Sequence, residues 1–134
     1  FPEYRQEILE EMYRIKSLIK PDVVFTTSSN DIHQDHKTVN ACAQKAFSRT
    51  TRLSYEVINA TNGFCPNIIF EITEEALEAK VRAIKEYKTQ HNENITSGDY
   101  FSEEIIKSLA VTRGARSGVK FAEAFECGSI LFHL

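Results

Sequence analysis

The chain has 134 residues, 42% of them hydrophobic and 26% charged, with a net charge of −3 and a pI near 5.8. Those totals suit one ordinary globular domain that buries about two-thirds of its unfolded surface. They exclude the basic footprint of a nucleic-acid binder, and the Lys and Arg residues form no run suited to phosphates or an anionic membrane.

No apolar stretch is long enough to span a bilayer, and no signal peptide is visible. The chain opens on Phe1-Pro2 rather than Met, so it is expected to have been trimmed. Cys42, Cys65 and Cys127 are widely spaced and form no C-x-x-C pair, which argues against a disulfide framework and a structural zinc knot. With the missing signals, they point to a reducing, cytoplasmic location.

In chain order, Ile8, Met12, Ile15 and Ile19 recur at helical steps and predict an amphipathic helix that Pro21 closes. Asp22 to Thr27 then predicts a short strand without polar alternation, of the kind covered on both faces in a parallel sheet. A loop follows to Asp35, and a second helix is expected from about His36 to Phe47, with Val39, Ala43 and Phe47 on one side. Leu53 to Ile58 and Ile68 to Ile72 are further strand candidates, separated by turn chemistry.

Thr73 is placed to cap a third helix, running to about Gln90, with Glu74 and Glu75 at the positive end of its dipole. His91 to Tyr100 reads as a polar loop. Ser102 is placed to cap a last helix that Gly114 or Gly118 ends, and Phe121 to Glu126 and Ile130 to Leu134 are expected to close the fold as strands. Alternating helix and strand indicate α/β architecture in a single domain.

The segment Asp31-Ile32-His33-Gln34-Asp35-His36 carries the densest chemistry. It falls at the carboxyl end of the first predicted strand, where open α/β sheets bind their ligands. Histidine is the commonest metal ligand, and a neighbouring carboxylate orients its ring. A catalytic zinc centre needs three protein ligands and an open position, whereas only one or two are evident here. The same residues also suit a polar loop, with Asp31 closing an Asx-turn and Asp35 capping the helix. Spacing alone leaves both readings open.

The stretch KPDVVFTTSSNDIHQDHKTV, Lys20 to Val39, resembles the PIG-L/LmbE-like deacetylases, whose H-x-D-H motif follows a similar strand. EITEEALEAKVRAIKEYKTQ, Glu71 to Gln90, is similar to the family's helix ending in Tyr-Lys-x-Gln. Arg113-Gly114 followed by FAEAF, Phe121 to Phe125, is similar to its closing segment. The resemblance implies a Rossmann-like three-layer sandwich with a mainly parallel sheet, and zinc-dependent hydrolysis of an N-acetyl group on an N-acetylglucosamine-type sugar. It further implies that His36 is a Zn2+ ligand and that His33 stabilises the oxyanion and helps protonate the leaving amine. Asp35 is then a supporting carboxylate, and Asp31 lies on the substrate side as a contact.

The family's A-H-P-D-D motif, which supplies the other zinc ligands and the general base, does not occur in these 134 residues. The expectation is therefore the C-terminal portion of such an enzyme, without its N-terminal strands and most of its metal site. A companion N-terminal segment or a homo-oligomer would cover the sheet edge so left. The competing expectations are a non-catalytic α/β module that binds a sugar or a partner, and a different metallohydrolase completed by a second chain. Arg113, Arg116 and His91 are read as solvated or surface residues, Tyr87 as a core or rim residue, and Glu123 as a buried, paired carboxylate without an assigned role.

Overall fold

A computed structural model of the protein describes residues 1–87, 100–128 and 130–131. Hydrogen bonding orders four strands as β1 (Val23–Thr27), β2 (Thr51–Tyr55), β4 (Ala122–Cys127) and β3 (Ile68–Glu71). The sheet is mixed. β1 and β2 run parallel, with Phe25 opposite Leu53, while β2 and β4 run antiparallel, with Ser54 opposite Glu126. The helices are α1 (Arg5–Ile19), α2 (Gln34–Ala46), α3 (Glu74–Lys85) and α4 (Glu103–Ser117), so the fold is α/β. The chain divides into two compact units, residues 1–68 with 125–134, and residues 69–124.

In the first unit, α1 and α2 pack on each other and α2 packs on β1. Their core is Leu9, Cys42, Ala43, Ala46 and Phe47, flanked by Ile8, Met12 and Val24. Small side chains on α2 permit that close approach, and Lys16 Nζ donates to Ala46 O at the last turn of α2 (2.7 Å). The predicted stripe on α1 is only partly used, because the buried residue is Leu9 and Ile19 is exposed. α1 ends at Lys20, which enters the left-handed region (φ 50°, ψ 57°) just before Pro21.

β1 departs from the fully covered strand expected of it. Val23 and Phe25 are exposed, while Val24 and Thr26 face inward, an alternation that the apolar run had hidden. Phe25 still meets Phe125 edge-on, with centroids 5.3 Å apart. β2 begins two residues before the expected Leu53 and ends at Tyr55, so Val57 and Ile58 belong to the following loop.

In the second unit, Leu77 and Val81 of α3 meet Ile106 and Ala110 of α4, with Ile72, Ile84 and Phe121 around them. Both predicted caps form: Thr73 Oγ1 accepts from Ala76 N (3.2 Å), and Ser102 Oγ accepts from Ile105 N (3.3 Å). α3 ends at Lys85, short of Gln90, and residues 88–99 lie outside those described, as does the loop expected there with His91. Gly118 ends α4 in the left-handed region (φ 73°). Gly114 instead stands inside α4, buried against the turn that follows, where a Cβ would lie 2.6 Å from Val119 O. Glu123 is half-buried and pairs with Lys80 at 2.6 Å. Residues 132–134, and His133 with them, also lie outside the description; no strand is assigned at Ile130 and Leu131.

Candidate active site

β1 delivers the chain into the loop 28–33, and α2 starts directly after it. Asp31 has no exposed surface. Its Oδ1 accepts from His33 N (2.8 Å), closing the Asx-turn that the sequence allowed, and its Oδ2 lies 2.7 Å from His36 Nδ1. A carboxylate only accepts, so His36 carries a proton on Nδ1, and in the neutral ring Nε2 keeps its lone pair. The sequence reading puts Asp31 on the substrate side. In the structure its two oxygens are engaged by His33 N and by His36 Nδ1 at the start of α2.

The N-cap of α2 is His33, two positions before the Asp35 expected there, because the helix begins at Gln34. His33 Nδ1 accepts from Asp35 N (3.2 Å). A backbone N–H only donates, so neutral His33 carries its proton on Nε2. The two rings stand close, with centroids 4.6 Å apart and planes tilted by 31°. They therefore hold opposite tautomers: His36 offers a free nitrogen, and the exposed ring of His33 offers an N–H. Asp35 touches His33 through its backbone, while its carboxylate Oδ1 lies 3.0 Å from the Phe1 nitrogen.

The start of α2 is fixed by β1 as well. Thr27 Oγ1 donates to His36 O (3.0 Å), and the Asn40 side-chain amide donates back to Thr27 O. The sequence reading missed these contacts, and it missed Ser28 and Glu126, whose 2.6 Å hydrogen bond joins positions 98 residues apart. Thr27 and Asn40 share the common strand–loop–helix pattern, which carries no motif of its own.

Beside the loop lies a polar cavity of about 380 Å³, lined by Thr26, Asn40, Gln44, Arg52, Ser54 and Glu126 among others. Neither histidine lines it. Among the described residues, no group of three or more His, Cys, Asp or Glu side chains is arranged to hold a metal ion. The donors present therefore fit one imidazole ligand, His36 Nε2, and not a complete metal centre. No described helix is long and apolar enough to cross a membrane.

No family model and no curated protein matches the sequence. Solved structures do match. A conserved protein of Thermus thermophilus aligns over 100% of this chain and 62% of its own, at 20% identity and a TM-score of 0.72. The N,N'-diacetylchitobiose deacetylase of Pyrococcus horikoshii aligns over 90% of this chain and 51% of its own, at 20% identity and 0.68. A deacetylase of the teicoplanin biosynthetic pathway, solved as a triple mutant, aligns over 95% and 58%, at 15% identity and 0.66. The chain thus spans between 51% and 62% of these proteins and shares their α/β fold, which two of them use as deacetylases.

Proposed function

We propose that this chain supplies the histidine-bearing half of a metal-dependent N-deacetylase site, acting in the whole protein on an N-acetylated amino sugar. The observation that carries the reading is the pair of opposite tautomers, a free Nε2 on His36 and an Nε2–H on His33. The names of two proteins sharing the fold, both deacetylases and one acting on diacetylchitobiose, support the same class of reaction.

In this reading His36 Nε2 is one ligand of a zinc ion whose other ligands lie outside the described residues. Zinc bound there supplies Lewis acidity toward the amide carbonyl. Asp31, donating nothing and accepting from Nδ1, holds the His36 ring and raises the basicity of its free nitrogen. His33 directs its Nε2–H at the carbonyl oxygen, where negative charge grows as water adds. As the C–N bond breaks, the amine takes up the proton that the attacking water gave to a base outside the described residues, leaving acetate and the free amino sugar, while neutral His33 keeps its Nε2–H. Asp35 contributes through its backbone N–H, which keeps His33 in the donating tautomer.

The test uses zinc content and turnover in the full-length protein. His36→Ala is expected to deplete zinc. His33→Ala is expected to keep zinc and lower turnover by roughly 10²- to 10³-fold, the usual worth of one donor to a developing oxyanion. Stoichiometric zinc in His36→Ala by elemental analysis overturns the ligand assignment. A wild-type protein that binds no zinc and hydrolyses no N-acetyl sugar points instead to the non-catalytic binding module.

A further inference from the structure

Ser28, directly after β1, has no exposed surface, and its hydroxyl both donates and accepts. It donates to Glu126 Oε2 at 2.6 Å and accepts from Asn30 N at 3.1 Å. The other oxygen of the same carboxylate, Glu126 Oε1, accepts from Cys65 N at 2.9 Å. One side chain at the end of β4 thus grips two separate loops. Those loops are also stitched to each other. Asp31 bridges Thr61, Ile32 N donates to Ala60 O (2.7 Å), Asn62 N to Asn30 O (3.1 Å), and Asn30 Nδ2 to Gly63 O (3.3 Å). Asp31 N in turn donates to Ser28 O (3.3 Å), so the chain of contacts runs from Glu126 through Ser28 to the residue that holds His36.

We propose that Glu126 is a positioning residue for the histidine-bearing loop, clamping it and the loop 57–65 into one unit. The chemistry of the clamp requires a carboxylate. Two acceptor oxygens face two donors, and a short O–H···O⁻ bond is about twice as strong as a neutral one. A glutamine of the same shape has one acceptor oxygen. With that oxygen on Cys65 N, its amide N–H faces Ser28 Oγ and leaves the hydroxyl proton without its carboxylate acceptor. With the amide turned over, Cys65 N faces a second donor. Either way one donor of the clamp loses its partner.

The consequence for catalysis rests on the proposed deacetylase site, whereas the clamp itself does not. Amide hydrogen exchange on the full-length protein reads the clamp directly, because Asn30, Ile32, Asn62 and Cys65 all donate backbone N–H bonds within it. Glu126→Gln and Ser28→Ala are each expected to speed exchange in peptides covering 28–36 and 57–65 by about tenfold or more, as the loss of a hydrogen bond to a charged group implies. Exchange in α3 and α4 is expected to stay as in wild type. The double variant is expected to be no faster than the faster single, since both changes break one network. Unchanged exchange in the two loops overturns the proposal, and so does equal acceleration across α3 and α4, which would make Glu126 a contributor to global stability only. In a parallel assay, a wild-type protein without hydrolytic activity would sink the deacetylase reading while leaving the exchange result to decide the clamp.

Discussion

Asp31 and His36 are joined at 2.7 Å, a carboxylate with no exposed surface holding the Nδ1 of a half-buried imidazole five residues later. Removing the carboxylate releases the ring and also leaves His33 N without its acceptor. In the proposed zinc site, Asp31→Ala is therefore expected to lower zinc affinity by about 10- to 100-fold, the usual cost of losing an outer partner of a metal-binding histidine. It is also expected to cost about 1–3 kcal/mol of stability, the penalty for stranding buried polar groups. Zinc titration and urea unfolding check the two effects. Wild-type zinc affinity in this variant would mean that Asp31 does not orient His36.

Gly114 lies where α4 meets the chain leaving it. A Cβ there would sit 2.6 Å from Val119 O and 2.9 Å from Lys120 O, both backbone atoms that cannot swing away. In an exposed helix, Gly→Ala adds about 1 kcal/mol through helix propensity. Here the forced separation, about 1–3 kcal/mol for overpacking, opposes that gain and wins. Gly114→Ala is expected to lower the urea midpoint. A raised midpoint would show that the turn yields easily.

Glu103 links α3 to α4, 2.6 Å from Lys85 and 2.8 Å from Lys107, and Lys107 also pairs with Glu78. Hydrogen bonds from Lys107 and then Lys85 hold the Glu103 carboxyl down at about 2, and bonds to Glu103 and Glu78 raise Lys107 above the ordinary lysine value. A depressed carboxylate stabilises the fold above its unfolded value near 4.5 and loses that contribution as pH falls toward 2. A raised lysine contributes below 10.5 and loses its share as pH rises beyond it. Glu103→Gln is thus expected to lower Tm at pH 7, and the difference should vanish near pH 2. These side chains are exposed, so the effect is small, and it should shrink further in 1 M salt, where screening reaches about 3 Å. A Tm difference independent of pH and salt would mean the pairs are not its source.

Much of the local structure was legible because its causes lie within a few residues. Thr73 and Ser102 cap the helices they precede, since a side-chain oxygen two or three positions ahead meets unpaired N–H groups wherever the chain turns helical. The Asx-turn at Asp31 is equally local. The run at Val23–Thr27 announced a strand but not its faces, because an unbroken apolar run has no alternation from which to read them. The N-cap was misplaced by two residues because a histidine ring nitrogen can do what Asp35 was expected to do.

By itself, the sequence determined the helices, most strands and the clustering of two histidines and two carboxylates at the end of β1. Tertiary structure decided the rest: the antiparallel place of β4 beside β2, the buried state of Asp31, and the reach of Glu126 to Ser28 across 98 residues. The division has a physical reason. Caps and turns are contests between neighbouring atoms, whereas burial and hydrogen-bond partners at long range exist only once distant segments have been brought together.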